Sequence, residues 1–147
     1  MKTTPVPDLP CLCANLRRAA RALSQLYEDE LRPVGLRGSQ FTILQTLSLT
    51  GEINQRRLAE LLAMDSTTLT RTLAIMQRQG WIVRREGTDR REWRLQLSKP
   101  GRAKLERALP LWEEAQTRIR KKLGEHGWAD AMKFSNEVTR AVTAPRS

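Results

Sequence analysis

Three groups of side chains in this chain are able to do chemistry. The run Ser66-Thr67-Thr68-Leu69-Thr70-Arg71 sets hydroxyls ahead of a guanidinium. Hydroxyls and free amides at the start of a helix suit phosphates and base edges, and an Arg fork matches the two acceptors of guanine. Arg84, Arg85, Arg90, Arg91 and Arg94 crowd into one short stretch. Arginines on a thin hairpin suit a narrow minor groove, where negative potential is strongest. Cys11 and Cys13 are the only thiols. They offer redox chemistry, electrophile capture or soft-metal ligation.

These groups need elements to hold them. Pro5, Pro7 and Pro10 make residues 1 to 10 an extended arm. Leu12, Leu16, Ala19, Ala20, Leu23, Leu26 and Tyr27 then recur at helical spacing, predicting an amphipathic helix over roughly 10 to 32, broken by Pro33 and Gly35. Ser39 is the expected N-cap of a second helix with Phe41, Leu44 and Leu47 inside, and Gly51 ends it. Asn54 caps a short third helix with Leu58, Leu61 and Leu62. The tight link Ala63-Met64-Asp65 leads to a fourth helix, capped by Asp65 and ended by Gly80. With Leu69, Leu73 and Met76 inward, Thr67, Thr70, Arg71, Ala74 and Arg78 face out.

After Gly80 the apolar period changes from helical to alternating. Ile82 and Val83 lead a first strand, and Trp93, Leu95 and Leu97 alternate with Glu92, Arg94 and Gln96 in a second. Asp89 is expected to brace Arg91 by an ion pair across the connecting loop. Ser98 and Pro100 open a long helix with Leu105, Leu109, Trp112, Ala115, Ile119 and Leu123 as its stripe, kinked at Pro110. A last helix follows Gly124 and Gly127. Two short helices with a three-residue turn, then a hairpin, make a winged helix-turn-helix, whose second helix enters the major groove.

Composition agrees. The 147 residues suit one domain, and 39% apolar content is lean for a self-contained globule. The broad stripes of the terminal helices exceed what the central module covers, so they are expected to pack against a second copy. The formal charge of +10 favours an anionic partner, nucleic acid before membrane. Residues 51 to 107 hold 13 basic and 7 acidic residues, a balance of +6, so most of that excess lies on the proposed reading module. No apolar run is long enough to span a bilayer, and Met1 to Pro10 lacks the apolar core of a signal peptide. The expectation is a cytoplasmic protein with reduced thiols and no membrane partner.

Cys11 and Cys13 follow Pro10 and are expected in the first turn of the first helix. The helix N-terminus and Arg17, one turn on, favour the thiolate of Cys13. Residues two apart on a helix point about 200° apart, which opposes a direct bond or shared metal ion while the turn is intact. Three readings stand: thiol redox or electrophile sensing, binding of a soft metal or arsenite at both cysteines, and plain packing of small buried residues. No cofactor is otherwise called for.

The runs Leu58-Ala59-Glu60-Leu61-Leu62, Asp65 to Arg71, Gly80 to Arg85, Asp89-Arg90-Arg91 and Leu95-Gln96-Leu97-Ser98, with Gly101, resemble the MarR family of bacterial regulators. The resemblance implies a mainly α fold with a small β-hairpin wing, spanning 1–147 as one domain. It implies dimerisation helices at 10–35 and 99–142 and a winged helix-turn-helix over 39–98. It further implies a homodimer on a double-stranded, pseudo-palindromic DNA operator, usually repressing. The contacts would come from Ser66, Thr67, Thr68, Thr70, Arg71, Arg78, Arg90 and Arg91, with Arg91 in the minor groove. Ser98 stands where the family often has Thr. Some peroxide-sensing members carry a reactive cysteine near the start of the first helix. Cys13 takes that position, Tyr27 matches one tyrosine that hydrogen-bonds the thiol, and Arg17 stands where the other would be. The family also binds small aromatic effectors beside the dimer helices, where Trp112, Tyr27 and Phe41 would serve.

Nothing points to an enzyme. His126 is the one histidine, and the neighbouring carboxylates Glu28, Asp29 and Glu30, like Glu113 and Glu114, diverge around a helix. A protein of another class, an architectural nucleic-acid binder relying on charge alone, would coat DNA without a discrete footprint.

Overall fold

A computed structural model describes residues 6–89 and 91–143. Helix α1 runs Leu12–Leu31 and passes through a 3-10 turn, Arg32–Val34, closed by Gly35 at φ 68°. Helix α2 is Gly38–Thr50, starting two residues earlier than Ser39 capping would allow. The cause is tertiary. Glu28 on α1 accepts from the Gly38 N–H at 2.8 Å, and Gln40 accepts from the Arg37 N–H at 3.0 Å. Those acceptors satisfy first-turn amides, so Arg37 becomes the N-cap residue and Ser39 falls inside the helix.

Helix α3, Gln55–Leu62, starts where expected, with Asn54 Oδ1 accepting from the Arg57 N–H at 2.7 Å. It stops at Ala63, a non-glycine residue at φ 49°. Asp65 then caps α4, Ser66–Arg78. Leu69, Leu73 and Met76 are buried, while Ser66, Thr67, Thr70, Arg71, Ala74 and Arg78 are exposed.

The wing strands β2, Ile82–Glu86, and β3, Trp93–Leu97, pair antiparallel from Ile82↔Leu97 to Glu86↔Trp93. A further strand, β1 at Ile53–Asn54, pairs on the other side of β3, with Ile53 opposite Leu95. The sheet therefore has three strands in the order β1-β3-β2, where the sequence reading had two. Two residues are too few to show a period, but they hinge the start of α3 to the wing.

Helix α5 runs Lys99–Thr143 with one non-helical break, at Gly124, φ 74° and ψ 166°. The expected kink at Pro110 is not where the backbone departs from helix. Pro110 and Glu106 both lie on the exposed side, so the carbonyl that loses its donor is open to water. The start of α5 is locked to the end of α4. Ser98 Oγ accepts from the Gly101 N–H at 3.0 Å and donates to the Gly80 carbonyl. A Cβ on Gly101 would lie 1.9 Å from the Trp81 carbonyl oxygen, so only glycine fits this approach.

The core is continuous from Leu31 and Leu44 through Leu58 and Leu69 to Leu95 and Ala108. It ends before the last stretch of α5. Leu123, Met132, Phe134 and Val142 stay exposed, as do Leu12 and Leu23 on α1. No helix among the described residues is long and apolar enough to cross a membrane.

Candidate nucleic-acid interface

The outward face of α4 sorts its hydroxyls by bonding. Asp65 accepts from the Thr68 N–H at 2.9 Å and from the Thr68 hydroxyl at 2.7 Å. Those two bonds hold the Asp65 carboxyl below the usual carboxylate range. Thr68 thus spends its proton on the cap. Thr70 Oγ1 instead accepts from Gln55 Nε2 at 3.0 Å, leaving its own O–H free. Arg71 and Arg78 are exposed and make no ion pair among the described residues.

At the wing, Asp89 does hold Arg91, though by a different bond from the ion pair expected. Its carboxylate accepts from the Arg91 backbone N–H at 3.2 Å, and the Asp89 carbonyl accepts from the Glu92 N–H at 2.9 Å. The acid shapes the turn and leaves the Arg91 guanidinium unpaired among the described residues. Arg90 lies outside the described residues. Arg84, Arg85 and Arg94, counted above with the hairpin's basic charge, are engaged within the protein.

Between the two reading elements lies a cleft of about 550 Å³. Asn54, Gln55, Arg56 and Ser66 line one wall, and Asp89, Arg91 and Trp93 the other. Arg56 was missed from the sequence, although its place one residue into a capped helix start was legible. A cleft lined by Arg56 and Arg91 together with residues from the starts of α3 and α4 suits a phosphate strand running between two grooves.

The thiols are elsewhere. Cys11 is the N-cap residue of α1 at φ −99° and ψ 119°, outside the first turn where it was expected, and Cys13 is inside it. Asn15 causes this by donating to the carbonyls of Leu9 at 2.6 Å and Cys11 at 3.1 Å, while Arg18 donates to the Pro7 carbonyl at 2.9 Å. Both thiols are exposed in the single chain. No group of three or more His, Cys, Asp or Glu able to hold a metal lies among the described residues. Tyr27 lies fourteen residues from Cys13, about 21 Å along the helix. Its hydroxyl donates to Gln116 at 2.5 Å, and burial raises its pKa above the usual phenol value. Tyr27, Phe41 and Trp112 do meet, lining a cavity of about 520 Å³ with Ser24, Glu28 and Gln45. The Phe41 and Trp112 rings stack at 5.7 Å.

Known proteins share this arrangement. Residues 36–93 match the family model described as MarR family. YwoH of Bacillus subtilis, a helix-turn-helix-type transcriptional regulator, is 32% identical over 95 residues, covering 65% of this chain and 69% of that protein. The M. tuberculosis transcriptional regulator MosR, solved with DNA, superimposes with TM-score 0.84 at 36% identity, covering 93% of this chain and 99% of that one. The transcriptional repressor CouR, bound to a 23-mer DNA duplex, gives TM-score 0.80 at 26% identity over 88% of this chain and 93% of that one. With the capped helix-turn-helix, the wing and these likenesses together, the chain belongs to the MarR family of winged-helix transcriptional regulators, which are not enzymes.

Proposed function

We propose that this protein is a cytoplasmic repressor that binds a pseudo-palindromic operator as a homodimer and is released through thiol chemistry at Cys11 and Cys13. The DNA reading rests on one observation above all. Ser66, at the start of the exposed face of α4, lines a single cleft together with Arg56 and Arg91. Helix α4 enters the major groove with Thr70 and Arg71 on base edges. Arg91 enters the neighbouring minor groove, and the phosphate strand between them runs through the cleft. MosR and CouR, both solved with DNA, support the same partner here.

Dimerisation is supported by the apolar side chains left open on α1 and on residues 125–143. A two-fold pair would set the α4 helices about 34–36 Å apart, one turn of duplex.

The effector reading follows from the exposed thiols at the start of α1. A Cys13 thiolate attacks the O–O bond of a hydroperoxide, giving a sulfenic acid and the reduced alcohol or water. Condensation with a second thiol releases water and leaves a disulfide. The change falls on α1, an element of the proposed dimer interface, and would alter the half-site spacing. A second reading is favoured by the aromatic cavity of Tyr27, Phe41 and Trp112, which suits a planar phenolic effector.

The test is footprinting on duplexes selected from a random pool, with and without hydrogen peroxide, arsenite, Zn²⁺ and phenolic acids. The expected result is a discrete two-fold footprint, lost on peroxide treatment and retained in Cys13→Ser. Even coating of DNA would establish an architectural binder instead. Peroxide release intact in Cys13→Ser would refute the thiol role. Release by phenolic acid alone would assign the effector to the cavity, and release by arsenite or Zn²⁺ alone to metalloid or metal capture.

A further inference from the structure

The wing holds more arginine than it presents. The Arg84 guanidinium carbon lies 3.8 Å from the Trp93 ring centroid, stacked on the protein's own surface. Arg85 and Arg94 are direct partners across β2 and β3, two like charges facing each other. Such a pair is unfavourable by itself. One carboxylate relieves it. Glu52, immediately before β1, pairs with Arg85 and lies 3.6 Å from Arg94. Gln96 adds an acceptor for Arg85 at 3.1 Å, and Glu92 a second carboxylate for Arg94 at 3.5 Å. Glu92 is itself held by Asn54 Nδ2 at 3.1 Å.

We propose that Glu52 is a specificity-determining residue, which withholds Arg85 and Arg94 from DNA phosphates so that the wing engages DNA by its tip. The inference rests on the DNA reading above. Arg94 is three residues from Arg91, at most about 10 Å along an extended chain, so an Arg94 side chain released from Glu52 would reach the phosphates beside the tip. Phosphate contacts strengthen binding to every sequence alike, whereas a regulator works by the ratio of specific to non-specific affinity. Arginines released from Glu52 would raise the denominator of that ratio. An isolated surface ion pair is weak. Here one carboxylate serves two guanidiniums, and its own charge repels any phosphate that approaches them.

The experiment measures binding of the full-length protein to a random-sequence duplex and to the duplex selected by wild type, as salt rises from about 50 to about 200 mM. Wild type, Glu52→Gln, the pair Arg85→Gln with Arg94→Gln, and the triple variant are compared. Glu52→Gln should bind the random duplex more tightly at low salt. Its log–log salt slope should steepen by up to about 2, an additional loss of roughly tenfold over that range. Its preference for the selected duplex should fall, and the triple variant should restore it. The double variant, with Glu52 in place, should keep the wild-type slope on random DNA. An unchanged slope in Glu52→Gln, or a double variant that loses two contacts' worth of slope, overturns the proposal. Wild type that binds neither duplex overturns the DNA reading itself, so the two failures are told apart.

Discussion

Gln55, in the first turn of α3, donates its side-chain amide to Thr70 Oγ1 on the outward face of α4 across 3.0 Å. The bond joins the two helices of the helix-turn-helix on the side proposed to meet DNA. It also fixes the polarity of Thr70. An oxygen that already accepts from Gln55 keeps its own proton for an acceptor such as guanine O6 or N7.

This gives a base-preference prediction. Gln55→Glu removes the donor and adds an acceptor, so the Thr70 proton turns inward. Selection from randomised half-sites should lose discrimination at one position, by about tenfold or less. Thr70→Val should lose the same position, and the double variant should add nothing further, because the pair acts as a unit. Independent, additive losses would show that the bond does not orient the hydroxyl.

Arg91 is a wing cation without an ion pair among the described residues, with its backbone pinned by Asp89. Arg91→Ala should weaken operator binding and lower the salt slope by about 1. Thermal melting should be unchanged, since the guanidinium pairs with nothing among the described residues. Asp89→Ala should weaken binding too, while keeping the slope, because it loosens the turn but removes no cation. Equal slopes for wild type and Arg91→Ala would take the tip out of the interface.

The Asp65 cap makes the reading helix sensitive to acid. The Asp65 carboxyl is held below its ordinary range by its bonds to the Thr68 hydroxyl and N–H. A carboxyl depressed in the folded state stabilises that state fully above its unfolded value, near pH 3.9. The contribution is lost as pH falls further, through the lower folded value. Melting of wild type and Asp65→Asn should therefore differ most near neutral pH and converge below about pH 4. A gap that stays constant down to pH 2 would mean that the cap charge contributes nothing.

Much of this was legible in the chain. Asn54 and Asp65 sit where their side chains can reach the amides three residues on, and both do. The apolar period of Leu69, Leu73 and Met76 placed the outward face by subtraction. What was hidden depends on distant partners. Ser39 lost the capping position because Glu28, ten residues before Gly38, supplies the acceptor. Strand β1 has no period to read, since pairing with β3 creates it. The commitment of Arg85 and Arg94 to Glu52 follows from strand pairing, since Ile53 opposite Leu95 and Arg85 opposite Arg94 bring Glu52 within reach of both guanidiniums. Counting charge along the sequence overstates what this wing offers DNA for that reason.

The apolar side chains beyond Gly124 carry the last prediction. Phe134 is 45% exposed and Met132 50% exposed in the single chain, on a stretch with almost no buried residue. A stretch so little buried by its own chain has its apolar side chains unpartnered in the single chain, and in the proposed dimer a second copy would supply the other half. Phe134→Glu places a charge there and touches neither α4 nor the wing. Sedimentation should show a monomer at concentrations where wild type is a dimer. Binding to a full two-fold site should fall by about 10²–10⁴, the contribution of linking two reading heads, while binding to a single half-site stays the same. A dimeric Phe134→Glu protein with full-site affinity intact would move the interface elsewhere. A monomer that also loses half-site binding would mean that the winged module needs its partner to fold, because stability is then inseparable from protomer concentration. The half-site measurement, made beside the sedimentation run, separates spacing from folding.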